Sequence, residues 1–184
     1  MEKPLCVLGV VDSERGRAIR DEMLAWLEQS YDVLCVHHDG SEFEYPALRY
    51  AQSMSKSTNR PVLYLHTKGA FNRAELSEEV RRMWKHEFGA RSHIYWELVN
   101  RPYAVVACPF TGSDKTTWYN GFIANTRAWS EIPPIGSPSN RMKAERLFIG
   151  QRPQVIGVVR NDMHRNEGHI DSKARQAWQQ FNDW

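Results

Sequence analysis

Three short apolar runs, separated by stretches with helical spacing, constrain the fold of this chain most strongly. The runs PLCVLGVVD (Pro4 to Asp12), YDVLCVHHDG (Tyr31 to Gly40) and Val62 to Leu65 lack polar alternation, which is typical of strands buried on both faces. Between them, Arg17 to Gln29 and Phe43 to Met54 carry apolar residues at helical intervals. Because long helical connections join parallel strands, the sequence predicts an α/β fold with mutually parallel strands near residues 5–11, 32–37 and 62–66.

The second half of the chain continues this pattern less regularly. We expect two helices, Glu75 to Phe88 and Arg91 to Asn100, and then two strands, Tyr103 to Phe110 and the middle of Trp118 to Trp129. The proline-rich loop IPPIGSPSN follows. The last predicted elements are a short helix over Asn140 to Gly150, an edge strand over Val155 to Arg160 and a terminal helix over Ala174 to Trp184. No internal repeat or low-complexity run interrupts them. We therefore predict one α/β domain over residues 1–160, with a mostly parallel central sheet and flanking helices, and a tail over 161–184 with a short helix.

Composition excludes few classes of protein, but it limits the cellular compartments and the kinds of binding partner to be considered. The 184 residues are 41% hydrophobic and 25% charged, with a net charge of +2, which leaves nucleic acid possible as a partner but gives no electrostatic argument for it. No apolar run is long enough to span a membrane, and the N-terminal segment lacks a signal-peptide pattern. The cysteines Cys6, Cys35 and Cys108 lie in strand-like runs and are expected to pack as small core residues. Because unpaired cysteines are typical of reducing compartments, we expect the protein to be located in the cytoplasm.

Residues that suit an anion follow the third apolar run directly. His66, Thr67, Lys68 and Gly69 stand where the strand ends, and ligands bind at the carboxyl ends of strands in open α/β sheets. The lysine and nearby backbone amides could hold a phosphate, although a solvated turn explains the same residues. The P-loop pattern and the GxGxxG pattern are both missing, which argues against common nucleotide hydrolases and nicotinamide dehydrogenases.

The second run ends in two histidines and an aspartate. Asp39 is expected to contact a base or a ribose, since an acidic group after the second strand often meets a ribose hydroxyl in such sheets. His37 and His38 suggest a metal, but adjacent strand residues face opposite sides and cannot easily share one. A polar turn remains the alternative.

Two charged groups and an aromatic cluster have both functional and structural interpretations. Of Arg81 and Arg82, one must lie nearer the apolar side of its helix and could face an anion, although solvated surface charge is the alternative. Glu145 lies among apolar residues, which predicts chemistry or a salt bridge, because an unpaired buried carboxylate is costly. An aromatic cluster is expected either to stack on a sugar or base or to pack in the core: Trp118, Tyr119, Phe122 and Trp129.

In this order, the motifs resemble a family of bacterial and viral glycosyltransferase-like proteins. The resemblance rests on VLYLHTKGA, VRRMWKHEF, YAVVACPF, YNGFIANTRAW and RMKAERLFIG, and it covers roughly residues 5–150. It implies a GT-A-like (Rossmann-like) fold that transfers a sugar from a nucleotide-sugar donor to a hydroxyl acceptor. That acceptor would be a glycan precursor or a hydroxylated base in DNA.

Two departures from the family pattern stand out. Ile123 and Ala124 replace the double tryptophan of the family, and no Asp-x-Asp pair is present at a strand end. Many enzymes of the GT-A type use that pair to hold a divalent metal against the diphosphate. A cation must still neutralise the leaving diphosphate, because negative charge develops there during transfer.

The resemblance implies roles for several residues at the strand ends. The donor nucleotide is expected over the carboxyl ends of the first three strands, near Val11, Asp12, Asp39, His66 and Thr67. Asp39 is the expected contact to the base or ribose.

The remaining roles concern the leaving group and the acceptor. Lys68 and Arg82 are expected to stabilise the diphosphate without a metal, and the alternative is a divalent metal (Mg²⁺ or Mn²⁺) held by His66 and Asp39. Glu145 is expected to face the acceptor or the metal. Two other functional classes remain open, namely a non-catalytic nucleotide- or sugar-binding module and a nucleic-acid-binding domain.

Overall fold

A computed structural model describes residues 3–67, 74–112, 115, 117, 120–136, 147–148 and 150–163 of the chain. Six strands form one sheet: β1 (Leu5–Val11), β2 (Asp32–His38), β3 (Val62–His66), β4 (Val105–Gly112), β5 (Phe122–Ala124) and β6 (Gln154–Met163). The described residues also form five α-helices: α1 (Glu14–Ser30), α2 (Tyr45–Thr58), α3 (Ala74–Trp84), α4 (Ser92–Val99) and α5 (Thr126–Glu131). A π-helical segment, Lys85–Ala90, follows α3 directly.

The predicted βαβαβ unit is confirmed. β1 pairs in parallel with β2 on one side and with β3 on the other. Every residue of β1 and β3 is buried, because both strands are covered by helices on both faces of the sheet. The predicted fourth strand is also confirmed, although it begins at Val105 and continues to Gly112.

The sheet is mixed rather than entirely parallel, which corrects the expectation in part. Its strand order is β2-β1-β3-β5-β4-β6, and β5 is antiparallel to both of its neighbours. Only residues 113–121 separate β4 from β5, and a parallel neighbour needs a longer crossover connection. β6 returns to parallel pairing with β4 at the sheet edge, as predicted for an edge strand, and it extends past the expected domain boundary at 160.

Two hydrophobic cores lie on opposite faces of the sheet. The first packs α1, α3, the π-helical segment and α4 against one face. The second packs α2, α5 and Phe148 against the other face. The predicted helices at 140–150 and 174–184 fall mostly or entirely outside the described residues. None of the helices in the described ranges is long and apolar enough to cross a bilayer.

Gly16 allows α1 to begin directly against the end of β1. Ser13 caps the helix, since its Oγ accepts a hydrogen bond of 2.9 Å from the Gly16 amide. A Cβ atom at Gly16 would lie 2.0 Å from the carbonyl oxygen of Val11. This close approach sets the position of the first helical turn relative to the sheet.

We expect Gly16→Ala to destabilise the protein by about 1–3 kcal/mol, the usual cost of overpacking a tight site. The clash is with backbone, so no side-chain rotation can relieve it. Gly136→Ala is the matched control, because a Cβ atom there meets nothing within 4 Å. Urea unfolding of both variants measures the difference, and equal midpoints would contradict the described packing of α1 on β1.

Candidate functional site

The carboxyl ends of β1, β2 and β3 lie at one edge of the sheet, where the chain leaves two neighbouring strands in opposite directions. Val11 pairs with His38, and Gly9 pairs with His66, so the three ends are adjacent. The helix after β1 packs on one face of the sheet and the helix after β2 packs on the other. The strand order also reverses here, since β2 and β3 lie on opposite sides of β1, and open α/β sheets bind ligands in the crevice at such a point. We call this edge, formed by residues 11–13, 38–41 and 66–67, the switch edge.

Asp12 brings an exposed carboxylate to the switch edge. Its amide donates to the carbonyl oxygen of His38 at 2.7 Å, which joins the ends of β1 and β2. Its Oδ1 lies 2.6 Å from Nη1 of Arg17, and both side chains are at least half exposed. Asp12 therefore lies at the carboxyl end of β1, with an arginine of α1 beside it.

Asp39 is fully exposed and its carboxylate is ordered by Ser41. Oδ1 accepts hydrogen bonds from the Ser41 hydroxyl at 2.6 Å and from the Ser41 amide at 2.8 Å. The hydrogen bond from the Ser41 hydroxyl has the largest effect on the pKa of Asp39, and the one from the Ser41 amide the second largest. Both hold this pKa below its ordinary value. Asp39 is consequently an ionised acceptor at neutral pH, which suits a ribose hydroxyl.

The two histidines before Asp39 differ in environment. His37 is exposed, whereas both ring nitrogens of His38 are buried and have no hydrogen-bond partner among the described residues. Burial lowers the pKa of His38, His37 lowers it further, and Asp39 opposes the shift. His38 is therefore a neutral imidazole near pH 7.

Thr67 fastens the end of β3 to β1. Its amide donates to the carbonyl oxygen of Gly9 at 2.8 Å, and its Oγ1 accepts from the Val11 amide at 3.1 Å. The backbone amides of Thr67 and Val11 thus both donate hydrogen bonds within the protein. This corrects the expectation that the Thr67 amide is available to a phosphate. Thr67 and Val11 shape the switch edge, and Lys68 follows immediately.

A buried polar group lies beneath the end of β3. Nε2 of His66 lies 3.3 Å from Oε1 of Glu44, and Oε2 of Glu44 accepts from Nδ2 of Asn120 at 3.0 Å. Glu44 and His66 are each 6% exposed, and Asn120 is 3% exposed. We call these three residues the Glu44 cluster. His66 therefore contacts Glu44. The alternative considered from the sequence places His66 beside Asp39, with both residues holding a divalent metal.

Aromatic rings enclose this cluster. The Tyr64 ring stacks beside the His66 imidazole at a centroid distance of 6.3 Å, and the Trp84 ring meets it edge-on at 5.5 Å. Trp84 in turn packs on Gly121, where a Cβ atom would lie 2.2 Å from the indole nitrogen. The cluster is thus fixed by close packing from α3 and from the segment before β5.

Several other predicted residues have a different environment from the expected one. Arg82 is 70% exposed and pairs with Glu78, whereas Arg81 is 10% exposed and pairs with Glu22 of α1. The arginine nearer the apolar side of α3 is therefore Arg81, which corrects the choice of Arg82.

Two residues of the predicted aromatic cluster lie in the described ranges, and both are core residues. Phe122 and Trp129 are fully buried in the second core and contact each other and Phe148, so they do not form an exposed stacking platform. Trp118, Tyr119, Lys68 and Glu145 lie outside the described residues. Cys6 and Cys108 are buried as expected, but Cys35 is exposed because β2 is an edge strand.

Sequence reasoning missed Glu44 and Asn120. Glu44 stands before Pro46 and close to Glu42, in a pattern typical of an exposed helix start. Asn120 precedes Gly121, and this Asn-Gly pair signals a turn with positive φ. The backbone of Asn120 does have a φ of 53°, so the pair could have identified the turn but not the contact to Glu44.

Comparisons with models of protein families, with curated proteins and with solved structures find no match to this chain. Within the described ranges, no three histidine, cysteine, aspartate or glutamate side chains converge as metal ligands would. The residues at the switch edge are therefore the best candidates for a function.

Proposed function

We propose that this protein is a glycosyltransferase-like protein that transfers a sugar from a nucleotide-sugar donor to a hydroxyl of a glycan or another acceptor. The observation that carries the proposal is the divergence of α1 and α2 from neighbouring strands, with exposed carboxylates of Asp12 and Asp39 at that edge. The proposed fold is a GT-A-like variant whose sheet contains one antiparallel strand.

The proposed reaction requires charge neutralisation and proton removal. The bond between the anomeric carbon and the diphosphate oxygen breaks, and a new bond forms to the acceptor oxygen. Lys68 stabilises the negative charge that the diphosphate gains, and Glu145 receives the proton that the acceptor hydroxyl loses. The described residues offer no converging set of ligands for Mg²⁺ or Mn²⁺.

The proposed compartment is the cytoplasm. The exposed free thiol of Cys35 supports it, because unpaired exposed cysteines persist in reducing compartments.

Calorimetric titration tests donor binding directly. Purified protein is titrated with a panel of nucleoside diphosphates and with the matching nucleoside as a control for base recognition alone. We expect saturable binding of at least one diphosphate, weakened when the phosphates are absent. Binding of single-stranded DNA or RNA with no binding of any nucleotide would favour the nucleic-acid-binding alternative.

Asp39→Ala should weaken binding of the preferred nucleotide by about tenfold, since it removes an ionised hydrogen-bond acceptor for the ribose or base. Ser41→Ala is the matched control, because it removes one hydrogen bond within the turn but keeps the carboxylate. Unchanged affinity in Asp39→Ala for every nucleotide would reject this placement of the donor.

A further inference from the structure

Glu44 contacts the switch edge although it does not follow a strand, unlike the site residues predicted from the sequence at the ends of β1, β2 and β3. It precedes α2, and its two carboxylate oxygens contact His66 at the end of β3 and Asn120 before β5. Three segments that are distant in sequence thus meet at one buried carboxylate. Their junction lies directly beneath the carboxyl end of β3.

Fold stability alone gives little reason for a carboxylate at this position. Removing an ionised group from water is costly, and replacing a buried charged pair with apolar residues is often neutral or stabilising. The cluster is surrounded by the aromatic rings of Tyr64 and Trp84, so apolar side chains would fit the surroundings. A role other than packing therefore accounts better for Glu44.

The residues around the pair carry a further cost. Within the described part of the chain, Oδ1 of Asn120 and the hydroxyl of Tyr64 are buried without a hydrogen-bond partner. Unpaired buried polar atoms are rare in folded proteins and call for an explanation other than packing.

We propose that Glu44 and Asn120 are positioning residues that fix the His66 imidazole beneath the donor site at the switch edge, an inference that rests on the proposed function. The Asn120 amide fixes the carboxylate, and the carboxylate favours a proton on Nε2 of His66 and sets the orientation of the ring. Both ring nitrogens of His66 are buried beneath the switch edge, so Glu44 and Asn120 act on the donor site through the position of this ring.

Kinetics of Glu44→Gln test the proposal. We expect kcat for sugar transfer to fall about 10- to 100-fold, by analogy with the loss when the carboxylate that orients a metal-ligating histidine is removed. The melting temperature should stay close to that of wild type, and Glu44→Asp should recover part of the rate. Glu42→Gln is the matched control, because Glu42 lies two residues earlier and pairs with Arg49 at the surface.

An independent readout is the ¹⁵N spectrum of the histidine rings. In Glu44→Gln the His66 ring signals should shift because the proton on Nε2 loses its carboxylate partner, while those of exposed His37 should not. If Glu44→Gln does not fold, Asn120→Gly serves instead, since glycine accepts the left-handed backbone and removes only the amide.

Unchanged kcat together with unchanged His66 signals in either variant would overturn the proposal. Lower stability with full turnover in the folded fraction would also overturn it, because Glu44 would then be structural. If wild-type protein transfers sugar from no donor, the proposed function fails, and the role in transfer fails with it. The ring spectra would still decide whether Glu44 and Asn120 set the state of His66.

Discussion

Lys68→Ala should lower turnover with a nucleotide-sugar donor about 100- to 1000-fold, the usual loss when one preorganised donor to a developing negative charge is removed. Lys68 lies outside the described residues, but it follows Thr67, whose amide and hydroxyl are both bonded to β1. A preorganised ammonium needs little reorganisation as the diphosphate leaves, which is why the expected loss of turnover is large.

Turnover and the melting temperature should respond differently to this change. We expect the melting temperature of Lys68→Ala to remain near wild type, because Lys68 follows the core strand and is not part of it. Lys56→Ala is the control for loss of one positive charge, since Lys56 is exposed in the last turn of α2. Equal turnover in the two variants would remove Lys68 from the proposed mechanism.

Glu87→Ala should destabilise the protein by about 3–5 kcal/mol, the range observed when a buried charge pair loses one partner. Glu87 is fully buried in the π-helical segment, and its carboxylate contacts Arg91 at 2.8 Å, Tyr95 at 2.7 Å and His86 at 3.0 Å. Burial, and then the Glu87 carboxylate, raise the pKa of Tyr95, so its hydroxyl stays protonated and donates. We expect the lower part of the range, because Arg91 and His86 keep some contact with water.

Chemical denaturation of Glu87→Ala and Glu78→Ala provides the comparison. Glu78 forms an exposed pair with Arg82 four residues away on α3, and such a pair contributes about 0.3–0.5 kcal/mol. A Glu87→Ala variant as stable as Glu78→Ala would show that this buried network does not hold the π-helical segment in place.

The sequence predicts the first half of the fold closely because β1 and β3 are buried on both faces. Such strands are continuous apolar runs, and the polar residues that end them mark the carboxyl edge of the sheet. The direction of β5 is not predictable in this way, since a strand over Phe122–Ala124 is too short to show a periodicity.

The candidate site is predictable only where its residues follow a strand. Asp12 and Asp39 do, and both lie exposed at the switch edge. Helical spacing places Arg81 and Arg82 on neighbouring positions and cannot decide which one α1 covers. The contact between Glu44 and His66 joins α2 to β3 in three dimensions, and no local pattern reports it.

Release of free nucleoside diphosphate from a panel of nucleotide sugars tests the central claim most directly. Wild-type protein, Lys68→Ala and Glu44→Gln are each incubated with every donor, with and without candidate hydroxyl acceptors, and the released diphosphate is quantified. The account predicts release by wild type from at least one donor, faster with an acceptor, and reduced in both variants. Saturable donor binding with no release under any condition would contradict transferase activity and establish a non-catalytic nucleotide-sugar-binding module instead.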